Sequence, residues 1–153
     1  GMISYRCVKT TRAKYLLETW IDHLVLNAAG YKSYPSSSMF VTINDAYAFM
    51  PVENSAYILQ ELLEIYFMGM KEPMKFFPQT SYKYAEQIIK GKTPEDALKS
   101  ARNEWNGSEY SPNGESEDTY YRLCFEKVDP LDETFMDIAM KIYAPIITNK
   151  GKS

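Results

Sequence analysis

The chain has 153 residues, of which 45% are hydrophobic and 24% charged, and its formal charge of -3 argues against a protein dedicated to gripping phosphates through a basic face. Its two cysteines form no CxxC pair and no cluster with histidine, so we expect neither a disulfide framework nor a zinc site. This cysteine usage fits a cytoplasmic protein, and the sequence contains no run of about 18 apolar residues to span a membrane.

Three strands and one helix are predicted in the first 50 residues from the spacing of apolar side chains. In chain order they are a strand over 3–8, an amphipathic helix over 12–29, and strands over 39–43 and 46–50. Thr10 or Thr11 would cap the helix, and Gly30 would end it. A turn over residues 34–38 follows the helix, and a tight two-residue turn joins the last two strands as a hairpin.

The stretch ILQELLEIYFMGM, residues 58–70, is apolar on nearly every face of a helix, and Asn54 or Ser55 would cap it. Such a helix must be buried in a core or packed against another chain. The two prolines in residues 71–78 keep the following segment extended. We therefore predict a packing or partner surface made of Leu59, Leu62, Leu63, Tyr66, Phe67, Phe76 and Phe77.

The same helix also generates an expectation for the isolated chain. If part of its apolar surface is meant for another chain, some of the side chains Tyr57, Tyr66, Phe67 and Met70 should be exposed or buried in a homotypic contact between two copies. Complete burial within a monomer would count against this interpretation.

The second half of the chain is predicted to be mainly helical, with helices over 80–90, 94–105 and 131–144 and a short ordered piece over 119–125. Residues 106–118 are predicted to form a flexible polar loop, and residues 146–153 a tail. The fold class is then α/β, a small sheet with helices packed on it and a helical C-terminal half. We expect a single domain over residues 1–153.

No sequence motif selects a catalytic site. The phosphate-binding, dinucleotide, nucleophile-elbow and zincin motifs are all missing, and no Asp or Glu is followed two residues later by the lysine of a minimal metal-dependent nuclease site. His23, the single histidine, is interpreted as a packing residue and not as the partner of Cys7 in a nucleophilic dyad. Glu115, Glu117 and Asp118 are interpreted as solvated acids. We expect no enzymatic activity, no metal and no cofactor.

Several stretches together resemble the C-terminal domain of RecC, the gamma subunit of exodeoxyribonuclease V. The likeness extends over about residues 5–145 and is carried by RAKYLLETWIDHLVLNAAG, ELLEIYFMGMKEPMKFFPQTSYKYA, ARNEWNG, EDTYYRLCF and DPLDETFMDIA. The resemblance implies a partial, inactive restriction-endonuclease-like fold. It also implies that residues 3–8 form the strand on which a working nuclease carries its metal-binding acid and its lysine. In this chain, residues 3–9 read ISYRCVK, so the lysine, Lys9, is present but the acid is missing. The chain would then be a C-terminal piece of a larger subunit.

The resemblance further implies a non-catalytic scaffold that helps to hold the beta and alpha subunits and frames a channel for unwound DNA. Candidate phosphate contacts are Lys71, Lys75, Lys83 and Arg102. One alternative is a small metal-dependent DNA nuclease with non-standard ligands such as Glu61 and Glu64. Another is a stand-alone protein-interaction domain unrelated to DNA. No membrane partner is expected.

Overall fold

The strands and helices largely follow the apolar periodicity of the sequence. The computed structural model describes residues 2–9, 12–30, 36–108 and 113–152. In chain order its elements are β1 (Met2–Tyr5), α1 (Ala13–Ala28), β2 (Ser38–Val41), β3 (Ala46–Phe49), α2 (Ser55–Gly69), α3 (Pro78–Ile89), α4 (Pro94–Asn106), a 3-10 turn (Glu115–Glu117), α5 (Thr119–Phe125), α6 (Glu133–Asn149) and β4 (Lys150–Lys152). The predicted α/β class is confirmed. Of the helices described, none has both the length and the apolar character required to cross a bilayer.

The chain divides into two compact units, which are described separately. The sheet unit consists of residues 1–67 and 146–153, and the helical unit of residues 68–145. The sheet unit contains seven basic and six acidic residues, whereas the helical unit contains ten basic and fourteen acidic residues. The negative charge of the chain is therefore carried by the helical unit. The prediction of a single domain stays a prediction.

The sheet has four strands in the order β1-β2-β3-β4. β1 and β2 are parallel, with Ile3 opposite Met39, and α1 connects them along the chain. β2 and β3 form the predicted antiparallel hairpin. β4 then pairs antiparallel with β3, placing Gly151 opposite Ala48.

The C-terminal end differs from its prediction. Helix α6 continues through Pro145 to Asn149, and the predicted tail contains β4. A proline inside a helix costs roughly 3 kcal/mol because it removes a hydrogen bond and clashes with the preceding turn. Tyr143 and Ile146, on either side of it, are fully buried. Burial of each apolar side chain opposes that cost by about 1.5–3 kcal/mol, so the helix persists where the proline signal alone predicts its end.

The core of the sheet unit contains a polar side chain held between aromatic rings. His23 on α1 is fully buried, and its ring lies 5.5 Å from the rings of both Trp20 and Phe49, measured between centroids. Its Nε2 lies 3.1 Å from the carbonyl oxygen of Met50, and its Nδ1 lies 2.8 Å from Ser38 Oγ. A carbonyl only accepts hydrogen bonds, so the neutral ring carries its proton on Nε2 and Nδ1 accepts from the serine. The ring thereby joins α1 to β2 and to the end of β3.

Asn27, one turn after His23, makes a second connection to the same strands. Its side-chain nitrogen donates to the carbonyl oxygens of His23 at 2.8 Å and Ser36 at 2.9 Å. Its Oδ1 accepts the N–H of Val52 at 3.0 Å. The amide thus uses both donors and an acceptor on backbone groups, and two of these groups, in Ser36 and Val52, lie outside the strands and helices.

The helical unit is built around Phe77, which is fully buried immediately before α3. Its ring centroid lies 4.2 Å from that of Trp105, 5.0 Å from Tyr121 and 5.4 Å from Phe125. Pro78 occupies the first turn of α3, where its missing N–H costs nothing, and Phe77 donates its own N–H to Ser81 Oγ at 3.1 Å. Pro78 and Ser81 therefore hold the backbone of Phe77 in place, and with it the direction in which the Phe77 ring enters the core.

The helix boundaries test several predicted caps. Gly30 has a φ of 64°, as expected for the residue that ends α1. Thr93 accepts the N–H of Asp96 at 3.2 Å and caps α4 as predicted. Thr10 and Thr11 lie outside the described residues, as do residues 34–35 of the predicted turn and 109–112 of the predicted loop. The flexibility of that loop stays a prediction.

The buried histidine predicts a pH-dependent stability. Burial lowers the pKa of His23 from its ordinary 6.5, against the opposing effect of the hydrogen bond to Met50. The unfolded chain then binds this proton more readily than the folded chain, so the free energy of unfolding is largest above pH 6.5 and falls as the pH drops below it. Thermal unfolding compared at pH 7.5 and 5.5 measures this decrease. Since His23 is the single histidine, the His23→Gln variant should show a flatter pH dependence; an unchanged slope would contradict the assignment.

Candidate interaction surface

Helix α2 has one buried side and one exposed apolar side. Ser55 and Ile58 are buried, and Leu62 and Ile65 continue that side as half-buried residues. A second row, Leu59, Leu63, Tyr66 and Phe67, follows the spacing i, i+4, i+7, i+8 and lies along one face of the helix. Leu59 is half-buried, whereas Leu63, Tyr66 and Phe67 are 54%, 60% and 61% exposed. We call this second row the α2 stripe.

A narrow polar face completes the circumference of α2. Tyr57 donates its hydroxyl to Glu61 Oε1 at 3.2 Å, and Gln60 donates to Glu64 Oε1 at 3.1 Å. The hydrogen bond and the charge of Glu61 raise the pKa of Tyr57. Both carboxylates are thus hydrogen-bonded to side chains of their own helix. These are the two acids that the nuclease alternative uses as metal ligands.

The residues of the predicted surface have different positions in the structure. The expected exposure of Tyr57, Tyr66, Phe67 and Met70 is confirmed, since each is more than half exposed. Phe76 is half-buried and stacks on Tyr143 at 5.8 Å between centroids. Phe77 belongs to the core of the helical unit. The exposed part of the predicted surface is therefore the end of α2, and the extended segment after it supplies packing residues.

Two of the four candidate phosphate contacts pair with carboxylates. Lys75 forms an ion pair with Asp132, and Arg102 forms one with Asp129. The hydrogen bond from Arg102 lowers the pKa of Asp129. Lys71 is exposed after α2, and Lys83 is half-buried on α3. A phosphate would have to displace the carboxylate at two of these four positions.

Two acids of the 106–118 segment, Glu115 and Asp118, act as helix caps. Glu115 accepts the N–H groups of Gln79 at 3.0 Å and Thr80 at 2.7 Å, at the positive end of α3. Asp118 accepts the N–H groups of Tyr120 at 2.9 Å and Tyr121 at 3.3 Å at the start of α5. The sequence analysis missed both roles. Asp118 before a helical run is a local cap signal, whereas Glu115 and α3 are 35 residues apart and carry no such signal.

Within residues 2–9, 12–30, 36–108 and 113–152, no three His, Cys, Asp or Glu side chains are grouped in a way that could hold a metal ion.

The helical unit contains a cavity of about 350 Å³ that sequence reasoning did not find. It is lined mainly by aromatic and charged side chains, which include Trp105, Glu117, Tyr121, Arg122, Phe125 and Glu126. Burial, together with the charges of Glu115 and Asp118, raises the pKa of Tyr121 to about 12.

Comparison with known protein families identifies the chain. The family model described as the RecC C-terminal domain matches residues 1–89, which is more than half of the chain. The chain belongs to the RecC C-terminal domain family. The resemblance to the RecC C-terminal domain, which the sequence stretches indicated, is therefore confirmed as membership of that family. A search of curated proteins gave no significant match.

The match to the RecC C-terminal domain includes β1 to β3 and helices α1, α2 and α3. The α2 stripe and Phe77 therefore lie inside the RecC match. The family match ends at residue 89 and does not include three of the stretches that carry the resemblance to RecC. These stretches are ARNEWNG, EDTYYRLCF and DPLDETFMDIA.

Two phenylalanines from the predicted surface should respond differently to truncation. Phe77→Ala leaves a cavity in the core of the helical unit and should lower the free energy of unfolding by about 3–5 kcal/mol. Phe67→Ala removes an exposed ring and should change it by less than about 0.5 kcal/mol. Urea denaturation followed by far-UV circular dichroism measures both values. Equal losses in the two variants would show that Phe67 is packed in solution and would contradict the exposed stripe.

Proposed function

We propose that the chain is a non-catalytic scaffold domain of an exodeoxyribonuclease V (RecBCD-type) helicase-nuclease, acting in the cytoplasm in double-strand-break repair and recombination. In this role it helps to hold the beta and alpha subunits and frames a channel for unwound DNA. The observation that carries the proposal is the α2 stripe on a chain of the RecC C-terminal domain family.

The α2 stripe has the chemistry of a helix that docks into an apolar groove. Its side chains follow the i, i+4, i+7 spacing of helix-in-groove recognition. Phe67 is 61% exposed. Covering it would remove roughly 120 Å² of apolar surface from water, which corresponds to a transfer free energy of about 3 kcal/mol at 25 cal/mol per Å², before the entropic costs of association are subtracted. The three exposed side chains together leave on the order of 300 Å², the size of a functional patch on a monomer.

The fold we propose is a partial restriction-endonuclease-like fold without its active site. The parallel pair β1 and β2, joined through α1, supports it, because β1 corresponds to the strand on which a working nuclease carries its acid and lysine, and the helix α1 follows it. Lys9 is present after β1, and Cys7 stands two residues before it where the nuclease pattern requires an acid. A thiol binds a hard divalent ion poorly compared with a carboxylate.

The docking role predicts a loss of partner binding when the α2 stripe is made polar. The double variant Leu63→Ser/Phe67→Ser should reduce co-purification with the beta and alpha subunits by tenfold or more, because it removes two exposed apolar side chains of the α2 stripe. The matched control is Tyr120→Ser/Leu123→Ser, which changes two exposed apolar residues of α5. Full retention of the α2 variant, or an equal loss in the control, would contradict docking through α2. Failure of the unmodified chain to co-purify would favour a stand-alone interaction domain.

The rival function is a metal-dependent nuclease that uses Glu61 and Glu64. We expect no cleavage of labelled linear DNA by the pure chain in Mg²⁺ or Mn²⁺, and no difference between it and the Glu61→Gln/Glu64→Gln variant, because both acids are engaged within α2. Sustained cleavage that disappears in that variant would overturn the scaffold role.

A further inference from the structure

The cavity of the helical unit has no part in the scaffold role. Its volume of about 350 Å³ is at the lower end of the range for ligand pockets, roughly 300–1,000 Å³. The lining residues belong to α4, the 3-10 turn, α5 and the segment just after α5. We call it the α5 cavity. Its size suits a single side chain or a small molecule, and the described lining shares no residue with the α2 stripe.

Three aromatic rings form one part of the lining. Trp105, Tyr121 and Phe125 all line the cavity, and all three also pack around the fully buried ring of Phe77. Their centroids lie 4.2, 5.0 and 5.4 Å from that of Phe77, respectively. Because the core holds these rings in place, binding beside them requires little further ordering. Aromatic rings attract cations that approach their faces, so this part of the lining favours a positively charged group.

Two carboxylates form another part of the lining. Glu117 and Glu126 both line the cavity and are exposed. Among the residues that the structure describes, none forms a hydrogen bond or an ion pair with the Glu117 carboxylate. Glu126 pairs with Arg122 at 3.7 Å between two exposed side chains, and a pair of this kind is weak in water. Both carboxylates can therefore accept hydrogen bonds from a ligand without a large loss.

The charge around the α5 cavity is negative. Its described lining contains two acids and one base, Arg122. Glu115 and Asp118 add to this charge, and after burial they are the next cause of the raised pKa of Tyr121. The helical unit as a whole has fourteen acidic and ten basic residues. This charge disfavours a phosphate or another anion and favours a cation.

We propose that the α5 cavity binds the guanidinium group of an arginine side chain presented by another polypeptide, with Glu117 and Glu126 accepting its hydrogen bonds and the aromatic rings beside it. A guanidinium is planar, stacks on aromatic rings and presents forked donors that match a carboxylate, whereas the ammonium of lysine is compact and strongly hydrated. Arg122, the one cation of the described lining, already pairs with Glu126. The α-carboxylate of free arginine would therefore lack a partner, which favours an arginine within a chain.

The chemistry of the ligand is tested by tryptophan fluorescence of the purified chain titrated with N-acetylarginine amide, whose two ends carry no charge. Trp105 lines the cavity, whereas Trp20 is fully buried in the sheet unit, so the Trp105→Phe variant should lose the response. N-acetylcitrulline amide has nearly the same shape without the charge and should bind at least about tenfold more weakly. No response, or equal binding of the two probes, would overturn the site. Binding of L-arginine about tenfold tighter than that of N-acetylarginine amide would overturn presentation by a polypeptide.

The residues of the site are tested with variants that keep Trp105. Glu117→Gln/Glu126→Gln should weaken binding of N-acetylarginine amide about tenfold or more, because it removes both charged acceptors. Arg122→Gln should strengthen binding by about twofold or more, since it removes the cation that competes for Glu126. The matched control, Glu72→Gln/Asp137→Asn, removes two charges from exposed acids of the helical unit and should change binding by less than about twofold.

The opposite signs expected for the two cavity variants separate binding from damage to the fold, because a loss of structure would weaken binding in both. Equal weakening in the control, or no change in the Glu117→Gln/Glu126→Gln variant, would overturn the site. Weakening by Arg122→Gln would assign the cavity to an anion. Thermal unfolding checks that each variant is folded. None of these substitutions changes the α2 stripe, so failure of this site would leave co-purification through α2 intact.

Discussion

Helix α2 imposes the constraint on which the functional interpretation depends. Its polar positions are few and lie in one narrow face, so burying one side against its own unit leaves the α2 stripe in water. Exposed aromatic and leucine side chains in a row are unfavourable for an isolated chain and favourable for one that is completed by a partner. The stripe is thus explained more simply by assembly than by the stability of the monomer.

Two polar side chains of α1, His23 and Asn27, fix the position of this helix on the sheet. The strands are only three or four residues long, so few ladder hydrogen bonds join them to their surroundings. His23 and Asn27 project from α1 and satisfy backbone groups at the ends of these strands. A buried polar group is costly unless it is paired, and each of these has its partners. The two side chains therefore set the position of α1 on the sheet, which apolar packing alone would leave less specific.

Local signals predicted most of the secondary structure and little of the tertiary structure. Thr93, Pro94 and the acids after them define the start of α4 within four residues, and Gly30 ends α1 by its own backbone preference. β4 could not be predicted in this way, because its sequence, Lys-Gly-Lys, has no strand preference and its partner β3 lies about 100 residues earlier. The cap that Glu115 places on α3 is likewise a tertiary contact.

The candidate surfaces were predictable to different degrees. An excess of apolar residues on α2 was evident from composition alone, but whether Leu62 or Leu63 would face water depended on the side from which the helix is packed. The candidate phosphate contacts were chosen by charge alone, and the sequence carried no signal that Lys75 and Arg102 pair with the carboxylates of Asp132 and Asp129.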